Sequence, residues 1–186
     1  MVENSLVRRI MWFVNKFIMT PLFRLGLGAF MGNPFTGYIM VLKTIGRKTR
    51  QVRYTPVNYA ILKGNVYCMA GFGKIADWYR NLKAHPDVEL ILPSGSVAGT
   101  AEEVTDPDET LQALRQVLKN SGFAGFAVGL NPFTMSDDVL REKLKSAPAL
   151  QISLIGVGSG AGDAGGWLWI LELIVTIVVI MWLVLR

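Results

Sequence analysis

The chain has 186 residues, is 51% hydrophobic and carries a formal net charge of +5, with a mean hydropathy of +0.36. That length holds one domain with a real core plus an appendage, and the basic balance fits an anionic partner such as nucleic acid, lipid headgroups or a phosphorylated cofactor. A single cysteine, Cys68, and a single histidine, His85, exclude an intrachain disulfide and a Cys/His metal site.

Residues 4–19 have the spacing of an amphipathic helix. Leu6, Val7, Ile10, Phe13, Val14, Phe17 and Ile18 recur on one side, and Asn4, Arg8, Arg9, Asn15 and Lys16 fall on the other. Pro21 stops or bends that pattern. Residues 1–21 are therefore expected to form a helix that packs on the domain or lies in a membrane interface, with Trp12 at headgroup level. No signal peptide is visible, because Asn15, Lys16, Pro21 and Arg24 interrupt the apolar stretch and no small-residue cleavage site follows.

Residues 22–156 read as the folded domain. Asn33-Pro34 marks a turn. Strands are expected at Tyr38–Thr44, Arg53–Leu62 and Val66–Ala70, the last two joined by the hairpin turn Lys63-Gly64-Asn65. Pro56 places its part of the second strand at an edge or a bulge. A helix follows over Ile75–Ala84 with Asp77 near its start, and His85 sits at its end, where a cation suits the helix dipole. Two more strands, Val88–Leu92 and Val97–Val104, flank the turn Pro93-Ser94-Gly95-Ser96. Asp106 and Pro107 open a helix to about Asn120, and Ser136-Asp137-Asp138 caps another to about Lys145. Phe123–Thr134 fits no periodicity, and Leu150–Val157 reads as a closing strand. Strands, one helix and more strands joined by tight turns predict a mainly β fold with helices (α+β), built on a small antiparallel barrel and not on βαβ units.

The glycines of residues 157–166 predict a flexible linker. Residues 167–186 then predict a single transmembrane helix: Trp167–Leu185 is almost uninterruptedly apolar, with Trp167, Trp169 and Trp182 near its ends and Arg186 beyond. Glu172 is the one ionisable residue inside, positioned to reach the interface or to pair with another membrane subunit. These features predict a single-pass protein of the cell membrane whose domain faces the cytoplasm.

The chemistry concentrates between Lys43 and Leu82. Gly46-Arg47-Lys48-Thr49 lies at a strand end, where a glycine turn offers backbone N–H groups to an anion and the side chains add charge and a hydroxyl. The Walker A spacing is absent. Arg53 follows on the next strand. Gly71-Phe72-Gly73 leads into the helix bearing Trp78 and Tyr79, where glycines let a flat ring lie against backbone. Each run alone is a weak signal: a basic strand-end loop is more often a solvated hairpin, and Trp78 and Tyr79 are also explained as core aromatics. No recognition motif for nucleic acid accompanies the basic loop.

Thr44-Ile45-Gly46-Arg47-Lys48-Thr49 with Arg53-Tyr54-Thr55-Pro56, then Gly71-Phe72-Gly73, then Trp78-Tyr79-Arg80-Asn81-Leu82 and Ala84-His85-Pro86, resembles the deazaflavin (F420)-dependent nitroreductase and quinone reductase family. These are split β-barrel proteins of the flavin-reductase-like superfamily. The resemblance implies a split β-barrel that binds the 8-hydroxy-5-deazaflavin coenzyme F420, with FMN as the less favoured occupant. Arg47, Lys48, Thr49 and Arg53 match positions for the anionic tail and phosphate, followed by Tyr54 and Pro56 of the same motif. Ala70, Gly71, Gly73, Trp78, Asn81 and Leu82 match the segment along the ring. The implied activity is hydride transfer from the reduced coenzyme to a quinone such as menaquinone, a nitroaromatic or another electron-poor acceptor. The alternative is a non-catalytic accessory subunit of a membrane complex, built on the same barrel. A homodimer is implied by analogy. Two departures stand out: Arg50 replaces a family glycine, and no tyrosine follows Tyr79, so no catalytic acid carries over.

Overall fold

The computed structural model of the chain describes residues 5–30, 32–35, 37–127, 129–160 and 168–185. Six strands make its centre: β1 (Ile39–Ile45), β2 (Val52–Leu62), β3 (Asn65–Met69), β4 (Asp87–Leu92), β5 (Gly95–Glu103) and β6 (Ala149–Val157). They close into a barrel in the order β1-β2-β3-β6-β5-β4, with every pairing antiparallel. The α+β reading holds, and the predicted strands recur within a few residues of their expected bounds.

Alternation along the strands sorts the apolar residues into layers. Met40 and Leu42 of β1 fill the barrel with Val66, Cys68, Leu90, Leu150 and Ile152. Ile39 and Val41 face outward and pack with Ile91 and with Phe23 of helix α2 (Thr20–Arg24), which follows α1 (Ser5–Val14). Helix α3 (Asp77–Ala84) contributes Tyr79 and Leu82 to the barrel core. Helix α4 (Pro107–Lys119) covers the outer face of β2 and β3. Its Leu111, Leu114 and Leu118 meet Ala60 and Tyr67, together with Leu140 and Leu144 of α6 (Asp137–Leu144). Burial on both faces explains why Val66, Tyr67 and Cys68 read as a continuous apolar run. Asp106 caps α4 as expected, accepting from the amides of Asp108 at 3.0 Å and Glu109 at 2.7 Å. The stretch that fitted no periodicity contains the short helix α5 (Phe123–Ala127).

The N-terminal segment runs through Pro21 instead of stopping there. A π-helical turn, Asn15–Met19, separates α1 from α2, and Pro21 lies in the first turn of α2. The wider turn relieves the clash a proline ring makes with the carbonyl one turn earlier.

The predicted transmembrane helix is not supported. Helix α7 covers Leu168–Val184 among the described residues. Among the described residues no helix is long and apolar enough to cross a membrane. Trp167 and Arg186 lie outside the described residues, as do residues 161–166 of the expected linker. The start of that linker is pinned to the barrel. The Gly158 amide donates to the Ser96 carbonyl at 2.9 Å, and the Gly160 amide donates to the Glu89 carboxylate. Lys43 Nζ ties the Glu89 carboxylate (2.8 Å) to Ser159 Oγ (2.9 Å) and the Gly160 carbonyl (2.7 Å).

Candidate functional site

The β1–β2 hairpin ends in a turn, residues 46–51, closed by the Gly46 amide on the Gln51 carbonyl and the Arg50 amide on the Gly46 carbonyl, both at 2.8 Å. Gly46 sits in a close approach: a Cβ there would lie 3.1 Å from Thr49 Oγ1 and 3.2 Å from the Gln51 carbonyl, so a larger residue would push its neighbours by a few tenths of an ångström. Arg50 adopts φ +58°, the left-handed region that glycine occupies freely and arginine does not.

The turn rests on α3. The Arg47 amide donates to Asn81 Oδ1 at 3.2 Å, and its Nη1 donates to the same oxygen at 3.1 Å. Arg47 Nη2 pairs with the Asp77 carboxylate at 2.9 Å. Arg50 Nη1 meets His85 Nε2 at 2.9 Å. Asp77, Asn81 and His85 are spaced four apart, one face of a helix, and that face takes the turn. Two of the four cations near the hairpin tip are thereby engaged with α3. The other two have no carboxylate partner among the described residues. Arg53 is exposed, its Nη2 held by the neutral Thr49 Oγ1 and Gln51 Oε1 at 3.3 Å. Lys48 is exposed and has no ion pair among the described residues.

Register sorts the predicted β2 residues. Thr44 pairs with Arg53 and Leu42 with Thr55, so Arg53 and Thr55 share the inward face with Thr44 and Leu42. Tyr54 faces the other way, packing against the cluster of Phe23, Ile39, Val41 and Ile91, with the Arg24 guanidinium 4.8 Å from its ring centroid. Pro56, opposite Val41, shares that outer face. Tyr54 and Pro56 are thus not brought together with Arg53. The expected edge character of Pro56 is present: β3 pairs with β2 only over Tyr59–Leu62, leaving the first half of β2 with a neighbour on one side. This parts the barrel wall beside the cationic turn.

Ala70 and the glycine turn occupy the end of β3. The Ala70 amide donates to the Pro148 carbonyl at 3.0 Å, and the Gly73 amide returns to the Ala70 carbonyl at 2.7 Å. Gly73 needs its glycine, with φ +71°. Gly71 is exposed, Ala70 and Gly73 are buried, Trp78 is half-buried against the barrel core, and Leu82 is inside it. The structure therefore gathers the turn, the Gly71–Gly73 segment and α3 at one end of the barrel.

Sequence reasoning passed over Thr44, Asp77, Arg50 and His85 as site residues. Thr44 is 1% exposed and its Oγ1 has no hydrogen-bond partner. Its inward position was readable from alternation with Met40 and Leu42. A buried, unpaired hydroxyl is costly, and this one lies two residues before the turn.

Ionisable groups around α3 are committed elsewhere. Burial pulls Glu103 up, but hydrogen bonds from Lys74, Tyr79 and Lys83 outweigh it and bring its carboxyl down to about 2. Burial and the 2.7 Å bond to Glu103 raise the Tyr79 phenol, so Tyr79 is held protonated on Glu103. A groove of about 290 Å³ lined by Leu62, Lys63, Gln112, Arg115, Gln116 and Lys119 opens at the opposite end of β2. Its Arg115 is taken up by Asp137 and by the carbonyls of Pro132 and Met135.

The residues present fit an anionic ligand at the turn: two uncompensated cations, a hydroxyl, and an orphaned buried hydroxyl beside them. The profile of the F420H(2)-dependent quinone reductase family matches residues 22–129. The F420H(2)-dependent quinone reductases Rv1261c and MT1299 of Mycobacterium tuberculosis (strains ATCC 25618 / H37Rv and CDC 1551 / Oshkosh) are each 34% identical over 86 residues, 44% of this chain and 57% of theirs. The match thus spans little more than half the length of these relatives. Among solved structures, an F420-H2 dependent reductase (FDR-A) is 20% identical with a TM-score of 0.47, covering 62% of this chain and 93% of that one. The conserved hypothetical protein Rv2991 from Mycobacterium tuberculosis is 16% identical with a TM-score of 0.46, covering 82% and 81%. Matched over more than half its length, the chain belongs to the F420H(2)-dependent quinone reductase family.

Proposed function

We propose that the chain is an oxidoreductase that binds reduced coenzyme F420 at the end of the barrel where the cationic turn meets α3, and passes a hydride to a quinone, a nitroaromatic or another electron-poor acceptor. The observation that carries this reading is the pair of uncompensated cations, Lys48 on the turn and Arg53 at the start of β2, at the barrel end to which the Gly71–Gly73 segment and α3 also belong. Lys48, Thr49 and Arg53 would hold the phosphate and oligoglutamate tail by charge-assisted hydrogen bonds. Thr44 Oγ1 lies on the same inward face as Arg53. The Gly71–Gly73 segment would give backbone contact to the flat ring, and Trp78 and Leu82 would back it.

Once bound, the coenzyme supplies the hydride. The acceptor becomes a hydroquinone by taking that hydride and one proton. The described site presents no free acid for that proton, since Tyr79 is tied to Glu103, and water is its source in this reading. The chain's part is binding, orientation and exclusion of competing reactions.

The acceptor we favour is lipid-soluble, menaquinone being one example. Ile10, Trp12, Phe13, Phe17 and Ile18 are exposed on the N-terminal helical segment, and Lys16 Nζ lies 4.7 Å from the Trp12 ring centroid. An apolar stripe edged by cations suits a bilayer surface. The direct test is anaerobic incubation of the purified chain with reduced coenzyme and a soluble quinone. The expected result is one hydroquinone formed per coenzyme oxidised. Tight coenzyme binding with no turnover would favour the non-catalytic reading. Occupation by FMN in place of the deazaflavin would refute the cofactor assignment.

A further inference from the structure

We propose that Lys43 and Glu89 form a peptide-binding site on the outer wall of the barrel, and that its ligand is the chain's own Gly158-Ser159-Gly160. The site faces away from the inward side shared by Thr44 and Arg53, and it does not rest on the coenzyme reading. It makes the first residues of the glycine run a docking sequence instead of a free linker.

Strand alternation builds the site. Met40, Leu42 and Thr44 point inward, so Ile39, Val41 and Lys43 point out. Glu89 stands opposite Lys43 and Ile91 opposite Val41, which puts an ion pair at the end of the apolar row that Phe23 covers. Lys43 Nζ lies 2.8 Å from Glu89 Oε2, with side chains 16% and 13% exposed. Charges this far withdrawn from water need their remaining donor and acceptor sites filled. Gly158-Ser159-Gly160 fills them. The ammonium has three donors, and they go to Glu89 Oε2, to Ser159 Oγ at 2.9 Å and to the Gly160 carbonyl at 2.7 Å. The carboxylate accepts from the Ser159 hydroxyl on Oε2 at 2.9 Å and from the Gly160 amide on Oε1. These bonds and the Lys43 charge outweigh burial and bring the Glu89 carboxyl below its ordinary value.

Each position of the segment is specified. Gly158 passes so close to Glu89 that a Cβ would lie 2.6 Å from its Oε1 and 2.7 Å from its Cγ. Gly160 has φ +80°, which glycine adopts freely, and there its amide meets the carboxylate while its carbonyl meets the ammonium. Ser159 supplies the hydroxyl that both charges share. The Gly158 amide, on the Ser96 carbonyl at 2.9 Å, carries the β5–β6 ladder one step past Val157 and leads the segment across the ion pair. Gly/Ser-rich chain is ordinarily a flexible coil; facing charges order this piece of it. The segment lies outside residues 22–129, which the family profile matches. The site thus fixes where the C-terminal segment leaves the barrel, on the same wall that carries α2.

Amide hydrogen exchange on the full-length chain, read residue by residue by NMR, tests the assignment. The Gly160 amide should exchange about tenfold or more slowly than a free peptide amide. Lys43→Met keeps the apolar stem and removes the donors. Gly158→Ala forces the Glu89 carboxylate off its partners. Each should return the Gly160 amide to the free-peptide rate. Gly158 lies past the last strand, so in Gly158→Ala the barrel amides should keep their wild-type protection, which separates loss of docking from loss of fold. Free-peptide exchange at Gly160 in the wild-type chain would overturn the proposal. So would slow exchange that survives Gly158→Ala, or slow exchange that fades on dilution, the mark of a segment held by a second copy.

Discussion

Arg50 Nη1 and His85 Nε2 lie 2.9 Å apart, joining the tip of the β1–β2 hairpin to the C-cap of α3. A guanidinium only donates, so in this contact Nε2 is the acceptor. The contact is made by a residue whose backbone sits at φ +58°, a conformation that glycine favours.

Stability and binding should therefore part company at Arg50. Arg50→Gly removes a left-handed arginine, which costs about 1 kcal/mol or more, and gives up an exposed contact worth less than about 1 kcal/mol. Thermal unfolding should show a gain of roughly 2–4 °C for each net kcal/mol. Coenzyme affinity should fall, because the second tie to α3 is gone. A destabilised Arg50→Gly would show that His85 contributes more than its exposure allows.

Glu103 predicts the response to acid. Its carboxyl is brought to about 2, below the ordinary glutamate value of about 4.3. A depressed folded-state pKa stabilises the fold above the unfolded value and loses that stability as pH falls through the folded one. The loss should run from about pH 4.3 to about pH 2 and amount to about 3 kcal/mol at most. Urea unfolding as a function of pH reads it directly. In Glu103→Gln the dependence in that window should be much flatter.

Cys68 should be silent in the native protein. It is fully buried, and burial pushes its thiol up to about 12, leaving almost no nucleophilic thiolate. A thiol reagent should titrate essentially none of the chain's single cysteine until denaturant is added, and then all of it.

Helix α7 should be dispensable to the barrel. From Ile170 to Leu185 its side chains are exposed, and the bonds that pin residues 158–160 to Lys43 and Glu89 precede it. A chain ending at Gly160 should melt at the same temperature as the full chain.

The barrel was legible in the sequence because its signals are local. A short apolar run marked β1, the turn Lys63-Gly64-Asn65 fixed the β2–β3 hairpin, and Asp106 announced α4. The cofactor-binding segments were legible only by resemblance, since each run alone is ambiguous. The face on which Tyr54 and Pro56 lie was available from the period of two and was passed over: Arg53 and Tyr54, as neighbours in a strand, cannot point the same way. The partners of Arg47 were not available. Asp77 and Asn81 lie 30 and 34 residues away, and only the docking of α3 against the barrel end brings them to the turn.

The central claim is that Lys48 and Arg53 hold an anionic deazaflavin coenzyme. Equilibrium titration of the purified chain with coenzyme F420, beside the double variant Lys48→Ala/Arg53→Ala, tests it most directly. Each charge-assisted contact is worth about 1.5 kcal/mol or more, so the account predicts at least a tenfold rise in Kd with an unchanged melting temperature. An unchanged Kd in a folded double variant would contradict it.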